Sequence, residues 1–206
     1  MFYMQQDFTV YNKRYGKEIV GLWEFITPLN PAVKVVAASI KSSNPDNTIW
    51  AAWDWVCRNV EYPPRADNAN FEITSRSRFI CGFPLSHTCD KVTNNTDFWQ
   101  FPFETLAIPR YGDCDDKAFA LTSILIYLGC RGTIACCVGT YQDSGHAWVD
   151  IKNPADNKWY VLETTASCAN QSGLYSVLDQ EPYESLIKFD DEWADEIQPG
   201  YEKYLS

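Results

Sequence analysis

Three side chains of this 206-residue sequence are of the types that nucleophilic chemistry needs: the thiol of Cys114, the imidazole of His146 and the carboxylate of Glu163. Cys114 stands in "YGDCDDKAFALTSILIYLG", Tyr111 to Gly129, between aspartates and just ahead of an apolar helical run. Asp113 suits the N-cap, and Asp116, three residues on, completes an acidic form of the capping box. Cys114 then occupies the first helical position. There, unpaired backbone N–H groups and the helix dipole favour negative charge and lower a thiol pKa below its usual value of about 8.5. The aspartates oppose this unless they cap the helix or face solvent, and Asp115 is left without such a role. His146 lies in "GHAWVDI" and shares a strand face with Trp148 and Asp150, while Trp159, Val161 and Glu163 share one in "KWYVLETT". A hairpin centred between Pro154 and Ala155 sets Asp150 opposite Trp159 and His146 opposite Glu163, with Cβ atoms about 5 Å apart. A carboxylate so placed holds one imidazole nitrogen and aims the other at a nucleophile. A two-residue shift of register removes this opposition.

These residues need elements to position them. Apolar positions at three- and four-residue spacing predict a helix over 31–43, opened by Pro31. A second helix is predicted over 48–60, capped by Asn47 or Asp46, with Trp50, Trp53 and Cys57 on one stripe and the prolines of "EYPPR" ending it. Residues 63–98 form a loop-rich insertion in which only "FEIT" and "RFICGF" have strand character. The nucleophile helix runs from Cys114 to Leu128 and is closed by Gly129 at the position past its end. "GTIACCVGTY", "GHAWVDI" and "KWYVLETT" read as three strands, the last two joined by "KNPADN". The chain therefore reads as one α+β domain over 1–206: a core at about 33–165, the insertion, and an aromatic, acidic C-terminal extension over 169–206. The insertion and the acidic tail are the two places where a protein assembly partner would bind.

Seventeen basic against 27 acidic residues give a net charge of −10 and a pI near 4.6. An acidic surface argues against non-specific binding to nucleic acid or anionic membrane. No stretch approaches the roughly 18 apolar residues of a membrane span. The eight cysteines show neither a CxxC pair nor regular spacing. With no signal-like start, this predicts reduced thiols and a cytoplasmic setting. Cys136 and Cys137 sit mid-strand among apolar residues and read as core. Cys81, His87 and Cys89 lack a fourth metal ligand, and His87 has no strand or helix context. Asn94 and Asn170 head glycosylation triplets that matter only in a secreted chain.

The order helix-Cys, strand-His, strand-acid in "GDCDD…GHAWVDI…WYVLETT" resembles the transglutaminase-like superfamily of papain-fold thiol enzymes. "FWQFPFETL" ahead of "GDCDD" is similar to the bacterial transglutaminase-like cysteine proteinases, and "WDWVCRNVEY" resembles a helix common in the superfamily. The resemblance spans roughly Val33 to Thr165. It implies a papain-like core with the nucleophile helix packed on an antiparallel sheet, and Cys114, His146 and Glu163 as nucleophile, base and orienting acid. It also implies acyl transfer through a thioester without a cofactor, on a protein or peptide substrate. Where the family usually carries aspartate, this chain has Glu163, one methylene longer. An oxyanion donor is expected besides the Cys114 backbone N–H, with Gln100 and Trp99 as candidates. Some relatives hold calcium, for which Asp113 and Asp115 are two carboxylates, too few for a site. Hydrolysis of a peptide or isopeptide bond is the expected reaction. Glutamine transamidation on the same triad and a non-catalytic role in a larger, virion-associated assembly are the alternatives.

Overall fold

In a computed structural model, residues 20–40, 43–62, 99–108, 110–169, 172–176 and 183–196 are described, with short strand pairs at 7–8, 71–72, 79–80, 83–84 and 91–92. Among the described residues the α-helices are α1 (Pro31–Ile40), α2 (Pro45–Asn59), α3 (Pro102–Thr105) and α4 (Cys114–Tyr127). Five strands, β1 (Ile134–Tyr141), β2 (Ser144–Lys152), β3 (Trp159–Leu162), β4 (Tyr183–Phe189) and β5 (Ala194–Glu196), form one antiparallel sheet in the order β5-β4-β1-β2-β3. No helix among the described residues is long and apolar enough to cross a membrane.

The sequence patterns account for most boundaries. α2 starts earlier than its stripe suggested: Asn44, rather than Asn47 or Asp46, is the N-cap, and its side chain accepts the Asn47 N–H at 3.0 Å. Pro45 fits the first turn because a first-turn N–H has no helical partner to lose. α4 ends as its glycine predicts, with Gly129 at φ +100° beyond the Leu128 cap. Of the insertion, Phe71–Glu72 pairs with Lys91–Val92 and Phe79–Ile80 with Phe83–Pro84. The rest of it, with Cys81, His87, Cys89 and Asn94, lies outside the described residues, as do Asn170 and the acidic tail from 197 onward.

Every residue of α4 from Asp115 to Ile126 is buried. The helix packs on α1, α2 and α3 and, below them, on β1 and β2. Cys136, Val138, Ala147, Val149 and Ile151 face that main core, while Cys137, Trp148 and Val161 make a smaller cluster on the other face of the sheet with Tyr183 packed against it. Both Cys136 and Cys137 are fully buried, the core role that their strand position predicts. The stretch expected as a mere extension supplies β4 and β5, and Leu186, Ile187 and Phe189 of β4 belong to the core.

The short link from α4 into β1 makes the helix run antiparallel to that strand. Fourteen helical residues cover roughly 21 Å and eight strand residues roughly 26 Å. The N-terminus of α4 thus returns to the end of the sheet where β1 finishes at Tyr141 and β2 begins at Ser144. By these lengths Cys114, which opens α4, and His146, third in β2, fall toward this same end.

Candidate active site

Cys114 opens α4 and is half-buried. Its Sγ lies 3.9 Å from Asp115 Oδ1. The helix start is fixed from outside the helix. Asp113 donates its backbone N–H to Asp116 Oδ2 at 3.3 Å, and Asp116 Oδ1 accepts the Gln100 backbone N–H at 2.7 Å. The Gln100 side-chain amide donates to Asp116 Oδ2 and to the Tyr111 carbonyl. Burial, and then the charge of Asp113, pushes the Asp116 carboxyl well above the ordinary carboxylate range. Asp116 is thus a buried post joining the α3 approach to the α4 cap, a larger role than the capping box alone. Gln100, expected as an oxyanion donor, has its backbone N–H and both side-chain hydrogens committed here, because the buried Asp116 carboxyl requires donors. Trp99, the other candidate, packs edge-on against Phe25 and Phe119. Gly112 shows why the approach to Cys114 carries glycine: a Cβ there would lie 2.7 Å from Asp116 Cβ and 3.0 Å from Thr105 Cγ2.

His146 Nε2 stands 2.8 Å from Glu163 Oε2. An ionised carboxylate only accepts, so Nε2 carries the hydrogen and Nδ1 is the basic nitrogen. The register that brings them together differs from the expected one. Asp150 pairs with Val161 and Lys152 with Trp159, a shift of two residues. Continued past the end of β3, this sets Glu163 opposite Trp148 and makes His146 its diagonal neighbour, about 7–8 Å away across the sheet. The longer reach of glutamate spans that diagonal, so the pair forms in spite of the shift. The extra methylene that departs from the family pattern thereby has a geometric reason.

Glu163 is held by more than the imidazole. Oε2 also accepts the Tyr183 hydroxyl at 2.6 Å, and Oε1 accepts the Thr165 N–H at 2.6 Å and the Thr165 hydroxyl at 2.7 Å. Its backbone carbonyl accepts Trp53 Nε1 at 2.7 Å, with Cys57 Sγ at 3.6 Å. Burial alone would raise this carboxyl, but the hydrogen bond and charge of His146, then Tyr183 and the Thr165 N–H, outweigh it and hold the group down at about 2. The aromatic stripe of α2 thus clamps the backbone of the acid. Burial pushes the Cys57 thiol in that clamp up to about 12, leaving it inert.

Two contributors escaped the sequence reading. Thr165 follows Glu163 by two residues, a spacing at which a hydroxyl and an N–H commonly turn back on a carboxylate. Tyr183 has no local signal, since it arrives from β4, 20 residues further on. Gly139, opposite His146 in β1, leaves the sheet face open where these rings meet: a Cβ there would lie 2.8 Å from the Trp148 ring and 2.0 Å from the Glu184 carbonyl oxygen. Tyr183, Trp159, Lys188 and Trp193 line a pocket of about 440 Å³ on this face.

Asp113, Cys114 and Asp115 bring ligand atoms within 4.8 Å of one another. Two carboxylates and a soft thiolate do not fit calcium, which takes 6–8 hard oxygen ligands.

A family model described as a transglutaminase-like domain matches residues 31–181. The chain belongs to the transglutaminase-like family. This is a family of thiol-dependent enzymes. Among solved structures, the fold is similar to LapG of Legionella pneumophila, with a TM-score of 0.55 at 13% identity, covering 84% of this chain and 80% of that one. The EGTA-treated form of LapG gives 0.52 at 14% identity, covering 81% and 74%. At such identities the likeness shows the fold alone. A comparison with curated protein sequences returns no match.

Proposed function

We propose that the protein is a cysteine hydrolase that cleaves a peptide or isopeptide bond through Cys114, His146 and Glu163. The observation that carries the reading is the His146–Glu163 contact at 2.8 Å, with the acid held ionised at about 2, in a chain whose helix α4 opens on Cys114. Glu163 fixes Nε2–H, so Nδ1 takes the thiol proton and an imidazolium–thiolate pair results. The thiolate electron pair attacks the carbonyl carbon, and the displaced π pair comes to rest on oxygen, toward the Cys114 backbone N–H. As the tetrahedral intermediate collapses, the C–N bond breaks, and the imidazolium gives its proton to the leaving amine. Water then attacks the thioester with Nδ1 as base, releasing the acid and restoring the thiol. Charge complementarity between a chain of net charge −10 and its partner favours a basic or neutral protein or peptide.

Iodoacetamide labelling across pH, with the modified cysteines mapped, tests the reading. Cys114 is expected to react selectively with an apparent pKa well below about 8.5, and His146→Ala to abolish that selectivity. Uniform slow labelling of all accessible thiols would sink the proposal. Incubation with a glutamine peptide and a labelled amine separates the two acyl-transfer outcomes. Hydrolysis without amine incorporation is expected, and incorporation would reassign the enzyme as a transamidase.

A further inference from the structure

We propose that Tyr183 is a positioning residue for the triad, its hydroxyl fixing Glu163 and tempering the hold of that carboxylate on His146. The inference rests on the reading of Cys114, His146 and Glu163 given above, and it adds a residue beyond the family match, which ends at 181. The Tyr183 hydroxyl donates at 2.6 Å to Oε2, the same oxygen that accepts His146 Nε2–H at 2.8 Å. Two donors share one oxygen, while Thr165 occupies the other. The phenol therefore does two things. It sets where Oε2 lies, so the imidazole is aimed by a carboxylate that cannot turn. It also takes up part of the charge on the oxygen that accepts His146 Nε2–H.

The ring is held well enough for the hydroxyl to act this way. Tyr183 lies 4.8 Å from the Tyr141 ring, 5.1 Å from Trp148 and 6.1 Å from His146. Its strand is paired with β1 from Tyr183↔Tyr141 onward. Besides the proposed nucleophile Cys114, the titratable groups around the pair among the described residues include Tyr141 from β1, Tyr183 from β4, Lys117 from α4 and Cys57 from α2. Only Tyr183 donates a hydrogen bond to the carboxylate oxygen that His146 uses, among the described residues.

Tyr183→Phe keeps every ring contact and removes only the donor. NMR titration of His146 in the wild type and Tyr183→Phe reads the effect directly and does not require turnover. An upward displacement of its midpoint by about half a pH unit is expected, with the iodoacetamide profile of Cys114 displaced along with it. Tyr183→Met, which fills the face without a donor, should behave like Tyr183→Phe. Superimposable His146 titrations, or a downward displacement, overturn the assignment even if Cys114 proves selectively reactive. Should Cys114 label no faster than other thiols in the wild type, the enzymatic reading fails instead, whatever His146 does. If the variants do not fold, the wild type decides. A slowly exchanging Tyr183 hydroxyl proton with a nuclear Overhauser contact to the His146 ring supports the bond, and its absence from an assigned spectrum overturns it.

Discussion

Glu163, the proposed acid of the triad, is held from every side. Its carboxylate accepts from His146, Tyr183 and twice from Thr165, which fills the lone-pair sites that a carboxylate offers. Because His146 is its diagonal neighbour, shortening the acid should harm the proposed reaction even though the family usually carries aspartate. Glu163→Asp is expected to lower kcat by about tenfold or more, roughly 1.4 kcal/mol or more of transition-state stabilisation. A rise in kcat would show that the extra methylene is a burden rather than a bridge. The same carboxyl links folding to acid. Its folded value of about 2 lies below its ordinary 4.5. A depressed carboxyl stabilises the fold above its unfolded pKa, and that share is lost as pH falls through the window from about 4.5 toward 2. The stability advantage of wild type over Glu163→Gln, on the order of 3 kcal/mol near neutrality, should therefore shrink between pH 6 and pH 3 in denaturant melts. A difference that stays constant would mean that the acid is not held ionised.

The elements around the site are tuned by close approaches that a side chain would spoil. At Gly112 a methyl group meets Asp116 Cβ at 2.7 Å and Thr105 at 3.0 Å, just where the cap of α4 is assembled. Gly112→Ala is therefore expected to cost about 1–3 kcal/mol by overpacking and to weaken the selectivity of Cys114 labelling, because the strain falls on the helix start that presents the thiol. Gly139→Ala meets backbone as well as the Trp148 ring, so it should be the more damaging of the two in thermal melts. A reversed order would mean that β4 yields more easily than the α4 cap. What was legible in the sequence follows from how local each signal is. The α4 cap, its glycine exit and the strands around His146 are each written within a few residues, so they could be read directly. The β2–β3 register is not, because the loop "KNPADN" tolerates either centring and a shift of two residues keeps every side chain on its face. Asp116 bonding Gln100 and Trp53 gripping the Glu163 carbonyl are contacts between distant segments, and no spacing rule encodes them.

At the scale of the whole molecule, the family match ends at residue 181, yet the sheet does not. β4 lies between β1 and β5 and buries Leu186, Ile187 and Phe189 in the main core. Side chains of this kind contribute about 1.5–3 kcal/mol each when fully buried. Three of them amount to roughly 5–9 kcal/mol, comparable with the entire stability of about 5–15 kcal/mol typical of a domain. Removing β4 would also leave β1 as an open edge with Cys136 and Cys137 in its middle. A chain ended at residue 181 should therefore fail to fold cooperatively or should associate through that edge, although it keeps every residue of the proposed triad. Circular dichroism melts and size-exclusion chromatography read this outcome. A monomeric, cooperatively melting fragment would show that the family core stands alone, and would leave Tyr183 as the sole tie between β4 and the reaction. The expected collapse instead makes the strand beyond the family match both a structural member of the sheet and the carrier of the hydroxyl that holds Glu163.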